Sequence, residues 1–183
     1  MVSRLAKVLY VIQLITQYLL SDAPNPVVLI LLGCALGWFI VCAAVLLNID
    51  IRQHRLPNAW TGRFFVCAAV LLLATTVTAA EASGLDGRWL TTLLGSVGYT
   101  GLMFVLHVFT RGGLGMGDVK LAAGLGLYTG FIGVNALVAG FMLAFIVGGV
   151  QAVYLVLFRG AKKTTRIAFG PAMLIGCSLV LVT

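Results

Sequence analysis

Long apolar runs joined by short polar connections leave this chain few ways to fold. Crossing the hydrocarbon core of a bilayer takes about 20 helical residues. Seven segments approach or exceed that length: Leu5 to Leu20, Val27 to Ile49, Trp60 to Ala80, Trp89 to Phe109, Val119 to Val134, Ala136 to Phe158 and Ile167 to Val182. None alternates with the period of two that a transmembrane barrel strand requires. The expectation is therefore an all-α, polytopic transmembrane helical bundle of about six to seven membrane segments. Composition agrees: 61% of residues are hydrophobic and 9% charged, where a soluble domain carries about a quarter charged. So little chain lies outside the runs that residues 1–183 read as a single membrane-embedded domain.

The net charge of +7 does not point to nucleic acid. The basic residues sit in connections, without the interleaved aromatics of a nucleic-acid surface, and they sort by side. Arg52, Arg55 and Arg63 follow the second segment, Arg111 the fourth, and Arg159, Lys162, Lys163 and Arg166 the sixth. Seven crossings with the N-terminus inside place all of these in the cytoplasm of a cell-membrane protein. Trp60 and Trp89 stand at segment ends, where interfacial aromatics belong. The first segment, with Arg4 and Lys7 ahead of it, has some features of a signal peptide. Asp22-Ala23-Pro24-Asn25-Pro26 is a poor cleavage context, so a retained helix is expected. The fifth, rich in glycine, could be re-entrant, but that would move Lys162 and Lys163 outside. A full crossing is expected, with Gly124, Gly126, Gly130 and Gly133 serving close helix packing. Cys34, Cys42, Cys67 and Cys177 all lie in apolar runs without C-x-x-C spacing and read as small buried hydrophobes.

Against this background the acids stand out. There are five in 183 residues, and Asp22, Glu81 and Asp86 fall in polar connections. Asp50 closes the second run and Asp118 opens the fifth, both on the basic side. A carboxylate at or inside a bilayer edge is costly and marks a functional candidate. Asp50 leads into Ile51-Arg52-Gln53-His54-Arg55-Leu56-Pro57-Asn58, where Pro57 turns the chain and Asn58 is placed to cap the next helix. The bland reading is a turn with a capping aspartate and topogenic arginines. Asp118 ends Gly115-Met116-Gly117 and stands where an N-cap belongs. In a chain with 22 glycines that string alone carries little weight, and a plain cap explains it equally well. Lys120 reads as snorkelling to the headgroups, with electrostatic tuning of Asp118 as the other reading. His107, inside an apolar run, reads as a hydrogen-bonded core histidine.

Two carboxylates brought together cannot both stay ionised, so one proton is shared and the pair holds an acid and a base at once. That is sufficient equipment for amide hydrolysis without a metal. The residues around them then carry a resemblance. Asp50 through Asn58 resembles the first motif of the type IV prepilin peptidases, with Leu56 in place of isoleucine before Pro57-Asn58. Gly115-Met116-Gly117-Asp118-Val119-Lys120-Leu121 is similar to that family's G-x-G-D-x-K-L. Phe169-Gly170-Pro171 resembles its C-terminal Pro-Phe-Gly-Pro, with Ala168 replacing the first proline; a proline in a helix's first turn is the plain alternative for Pro171.

The resemblance implies an aspartic endopeptidase that cleaves the basic leader of prepilin-like proteins after a glycine, on the cytoplasmic side. Asp50 and Asp118 would be its catalytic pair, with Pro57, Asn58, Gly115, Gly117, Lys120, Gly170 and Pro171 in support. It implies prepilin-like protein and membrane lipids as partners, with no cofactor and no metal. Larger relatives carry an insert with paired C-x-x-C motifs and also methylate. Here only about six residues, Ser21 to Pro26, separate the first two segments. A peptidase-only form is expected, similar to the compact enzymes of tight-adherence pili. Two other readings of the same aspartates are a proton-coupled transporter, whose sites lie nearer the midplane and often in repeated halves, and a non-catalytic scaffold of a pilus or secretion machine. Intramembrane proteases of presenilin type share G-x-G-D but fit the companion motifs less well.

Overall fold

The computed structural model describes residues 25–53, 56–79, 88–110, 113–159 and 169–182; the segment expected at Leu5 to Leu20 lies outside them. The described residues form six helices: α1 (Pro26–Gln53), α2 (Asn58–Ala79), α3 (Arg88–Phe109), α4 (Met116–Ile132), α5 (Val134–Arg159) and α6 (Gly170–Val182). Four are long and apolar enough to cross a membrane: α1, α2, α3 and Val134–Tyr154 of α5. Their outer faces are apolar as well, with Ile30, Ile40, Val70, Val97, Ile146 and Val150 all exposed. Inside hydrocarbon the backbone must satisfy itself, and helices do so.

Helix ends follow local chemistry. Pro26 fills the first position of α1, where its missing N–H is no loss, and Asn25 Oδ1 accepts from Val27 N at 3.0 Å. Gly133, at φ +142°, breaks the chain between α4 and α5 in a conformation that side chains rarely adopt.

α4 is the centre of the bundle. Of its residues Val119, Leu121, Ala122, Leu125, Leu127, Tyr128 and Phe131 are all buried. It lies antiparallel to α3 over its whole length. Arg88 donates to the carbonyls of Phe131 and Ile132 at 3.0 and 3.2 Å, and Ser96 Oγ donates to Ala123 O at 2.9 Å. α4 is one continuous helix in that register, and at 17 residues it is shorter than the four helices long enough to cross a membrane. Glycines set the closeness: a Cβ at Gly95 would stand 2.6 Å from Gly126 O and 2.7 Å from Gly130 Cα. This is the small-residue packing that membrane helices use in place of a hydrophobic driving force. Against α2 and α1 the filling is aromatic. Tyr128 stacks on Phe64 at 5.7 Å and meets Phe39 edge-on at 5.0 Å, while its hydroxyl donates to Ala35 O at 2.8 Å. α6 pairs with α5, where a Cβ at Gly176 would stand 2.6 Å from Ala144 N.

The helices alternate in direction. The end of α1, the start of α2, the end of α3 and the starts of α4 and α6 therefore meet at one end of the bundle. Arg52, Arg63 and Lys120 are exposed there. Trp60 lies at this end and Trp89 at the other.

Candidate functional site

Among the described residues, the buried charged side chains are Asp50, at 3% exposure, and Asp118, at 6%. Asp50 lies in the last turn of α1 and Asp118 in the first turn of α4, and the two are close enough for the charge of one to act on the other. The shared polar end expected from charge sorting thus brings residues 68 positions apart into electrostatic range of each other.

Three glycines pack close around the two carboxylates and Leu56. Gly170, the first residue of α6, sits against both carboxylates. A Cβ there would run into Asp50 Oδ2, and its backbone hydrogen-bonds Asp118. Leu56 closes the site from the α1–α2 connection: a Cβ at Gly117 would stand 3.0 Å from Leu56 Cβ, and one at Gly170 would stand 3.3 Å from Leu56 Cδ1. A Cβ at Gly115 would lie 3.3 Å from Asp118 Oδ2. All three motifs are therefore in one place, and each glycine leaves space that a neighbour fills.

Several positions differ from the sequence reading. Asp118 is not the N-cap of α4. Gly115 is, with extended backbone at φ −65°, ψ 138°, and its C=O accepts from Asp118 N at 3.0 Å. Asp118 is the third helical residue, and its carboxylate turns back to the backbone of Gly115, as the acidic member of a capping box does. Nor does Asn58 cap α2. It is the helix's first residue, and Pro57 supplies the carbonyl that accepts from Trp60 N and Thr61 N at 3.1 and 3.2 Å. The Asn58 side chain instead accepts from Lys120 Nζ at 2.8 Å. Lys120 is thus tied to a partner rather than reaching freely for headgroups, and it joins the first motif to the second. Pro171 is buried as the second residue of α6, and Phe169 O accepts from Met173 N at 3.1 Å. Phe169 packs on Phe145, with ring centroids 5.3 Å apart. His107 is half-buried at the end of α3, not in the core, with Nδ1 2.6 Å from Leu114 O.

The electrostatics follow from this enclosure. Burial, and then the charge of Asp50, push the Asp118 carboxyl up to about 7, while backbone hydrogen bonds from Gly115 and Gly170 pull the other way. Two helix N-termini, of α4 and α6, aim their N–H groups and positive dipole ends at the pair. With its pKa moved close to neutrality, the Asp118 carboxyl can both hold and release a proton near pH 7. No group of three or more His, Cys, Asp or Glu that could hold a metal occurs among the described residues.

An open groove of about 290 Å³ runs beside the pair, between α2 and α3 and floored by α4. Asn58, Thr61, Phe65, Thr100, Val119 and Lys120 are among the residues lining it. Asn58 and Lys120, bonded to each other, both line it, and Val119 is the residue after Asp118.

An all-helical bundle with membrane-crossing helices and two carboxylates buried together at one end defines a class of membrane protein built around an aspartate pair. The sequence model of the type IV leader peptidase family matches residues 34–153, a stretch that contains both aspartates, and the chain belongs to that family. It is also 31% identical over 141 residues to the prepilin leader peptidase/N-methyltransferase of Bacillus subtilis (strain 168). That match covers 77% of this chain and 52% of the relative, so the chain spans about half the length of the curated relative it matches. No solved structure matches. The family match ends before α6, yet Gly170 stands between the two aspartates.

Proposed function

We propose that this protein is an aspartic endopeptidase that removes the basic leader of prepilin-like proteins at the cytoplasmic end of the bundle, without methyl transfer. The observation that carries the reading is the burial of Asp50 and Asp118 at one end of the bundle, with the first turns of α4 and α6 beside them. Burial beside a second acid keeps a proton available. The ionised member takes a proton from water as its oxygen attacks the scissile carbonyl carbon, and the protonated member gives its proton to the carbonyl oxygen. Collapse of the tetrahedral intermediate returns a proton to the leaving nitrogen and breaks the C–N bond.

The orientation rests on Arg52, Arg63 and Lys120, which share the end occupied by the pair and follow the positive-inside rule. The groove between α2 and α3 would receive the apolar helix behind the leader, bringing the peptide bond to Asp118. The test is cleavage of a co-expressed prepilin with a basic leader ending in glycine. Asp50→Asn and Asp118→Asn should each abolish it while protein level holds. Full cleavage by either variant would overturn the proposal.

A further inference from the structure

One peptide group links α3 to Asp118. The Leu114–Gly115 amide offers its carbonyl oxygen to His107, 2.6 Å from Nδ1, while the Gly115 backbone at its other end hydrogen-bonds the Asp118 carboxylate. A carbonyl only accepts, so Nδ1 carries the hydrogen and donates. The bond survives protonation of the ring, because an imidazolium donates from both nitrogens. The ring is held against Phe104, with centroids 6.5 Å apart and planes 25° from parallel. Thr110 holds the two residues ahead of Gly115: Gly113 N donates to Thr110 O at 3.0 Å and Leu114 N to Thr110 Oγ1 at 3.2 Å.

We infer that His107 is a positioning residue for the aspartate pair, fixing and polarising the Leu114–Gly115 amide so that its N–H supports the ionised form of Asp118. This rests on the peptidase reading for its consequence in activity, but not for its chemistry. A hydrogen bond at the carbonyl end of an amide strengthens the donor at the other end, more so where water is excluded. Other groups act on Asp118 as well. Asp50 opposes its ionisation from α1, the backbone of Gly170 supports it from α6, and Lys120 lies two residues along α4 and is bound to Asn58. α2 brings Arg63, which lies over the Trp60 ring at 5.7 Å. None of these orients the Gly115 amide, and His107 does.

The test contrasts substitutions by where they leave an N–H. His107→Asn keeps a donor near the Nδ1 position, His107→Gln moves it out to the Nε2 position, and His107→Phe keeps a ring without a donor. Two readouts apply in liposomes. One is the pH profile for cleavage of a reporter with a basic leader ending in glycine ahead of an apolar helix. The other is the pH midpoint of Asp118 modification by dicyclohexylcarbodiimide, which reacts with protonated carboxyls and needs no turnover. Loss of the donor raises the pH at which Asp118 ionises. His107→Phe and His107→Gln should move both the profile and the midpoint upward by about half a pH unit and lower kcat about tenfold with KM unchanged, while His107→Asn stays near wild type. A labelling midpoint that does not move in His107→Phe or His107→Gln overturns the inference, whatever happens to activity. If Asp118→Asn still cleaves the reporter, the peptidase reading fails instead, and the labelling shift then judges His107 alone.

Discussion

The two ends of α4 are built to opposite purposes. At its C-terminal end Arg88 donates to the carbonyls of Phe131 and Ile132 at 3.0 and 3.2 Å and lies 6.0 Å over the Phe131 ring. A cation on unpaired carbonyls at a helix C-terminus stabilises twice, by hydrogen bonding and by the macrodipole. At its N-terminal end Asp118 is also well placed for the dipole and bonds the Gly115 backbone, yet it faces a second buried carboxylate. One end relieves unsatisfied groups, whereas the other retains an unfavourable one. Residues held against local stability in this way are where function is usually found.

The contrast can be broken by exchanging what each end loses. Asp118→Asn should reduce leader cleavage by about a thousandfold or more, measured as turnover of a reporter prepilin. It should also leave the fold more stable above neutral pH. In the folded protein Asp118 keeps its proton up to about pH 7, whereas an exposed aspartate releases it near pH 3.9. The native state then binds more protons than the unfolded one, so this group's contribution to stability falls as pH rises between those values. The gain from Asp118→Asn should grow across that window and level off above it, reaching about 1–3 kcal/mol. Unfolding midpoints in detergent at pH 5 and pH 8 check this, and an equal change at both would refute it. Gly170→Ala comes next. Its methyl would strike the Asp50 carboxylate, so cleavage should fall about a hundredfold while the bundle remains folded, because a shift of about 1 Å at a reacting centre costs that much. Arg88→Ala should show the reverse, lowering stability by about 1–3 kcal/mol while cleavage per folded molecule stays within about twofold of wild type.

Much of the architecture was legible in the sequence because hydrophobic run length and charge sorting act locally. α1, α2 and α3 begin and end within a few residues of the runs that announced them. Gly126 and Gly130 marked the tight face of α4 against α3 and Gly124 its approach to Phe64 of α2, while Gly133 packs closely on nothing and instead breaks the helix. The site was legible only through its motifs. Periodicity does not carry Asp50 to Asp118, and the match in order of three short motifs did. Relations between helices had no local signature. Leu56 reads as an ordinary residue before a proline until its side chain is found between Gly117 and Gly170. The N-cap of α4 was misplaced because aspartate is a favoured cap, although Gly115 and Asp118 carry capping-box spacing. His107 looked like a core residue because its run is apolar, and nothing in sequence shows that a connection of a few residues folds Leu114 O back to it.

The smallest expected effect lies at the Lys120–Asn58 bond, and it sharpens the contrast further. The Lys120–Asn58 bond is exposed, and an exposed bond of this kind contributes at most about 1 kcal/mol to stability. Its position matters more than its strength. It ties the start of α2 to the first turns of α4, two residues from Asp118 and on a groove lined by both helices. Lys120→Met keeps most of the side chain's apolar length and removes the donor. It should leave the unfolding midpoint within about 0.5 kcal/mol of wild type and raise KM for the reporter about threefold to tenfold, with kcat less affected because neither aspartate has lost a bond. Asn58→Leu should do the same, and the double variant should be no worse than either single one, since both remove one shared interaction. Additive losses would show that Lys120 and Asn58 act separately and that their bond does not join α2 to α4 in substrate binding.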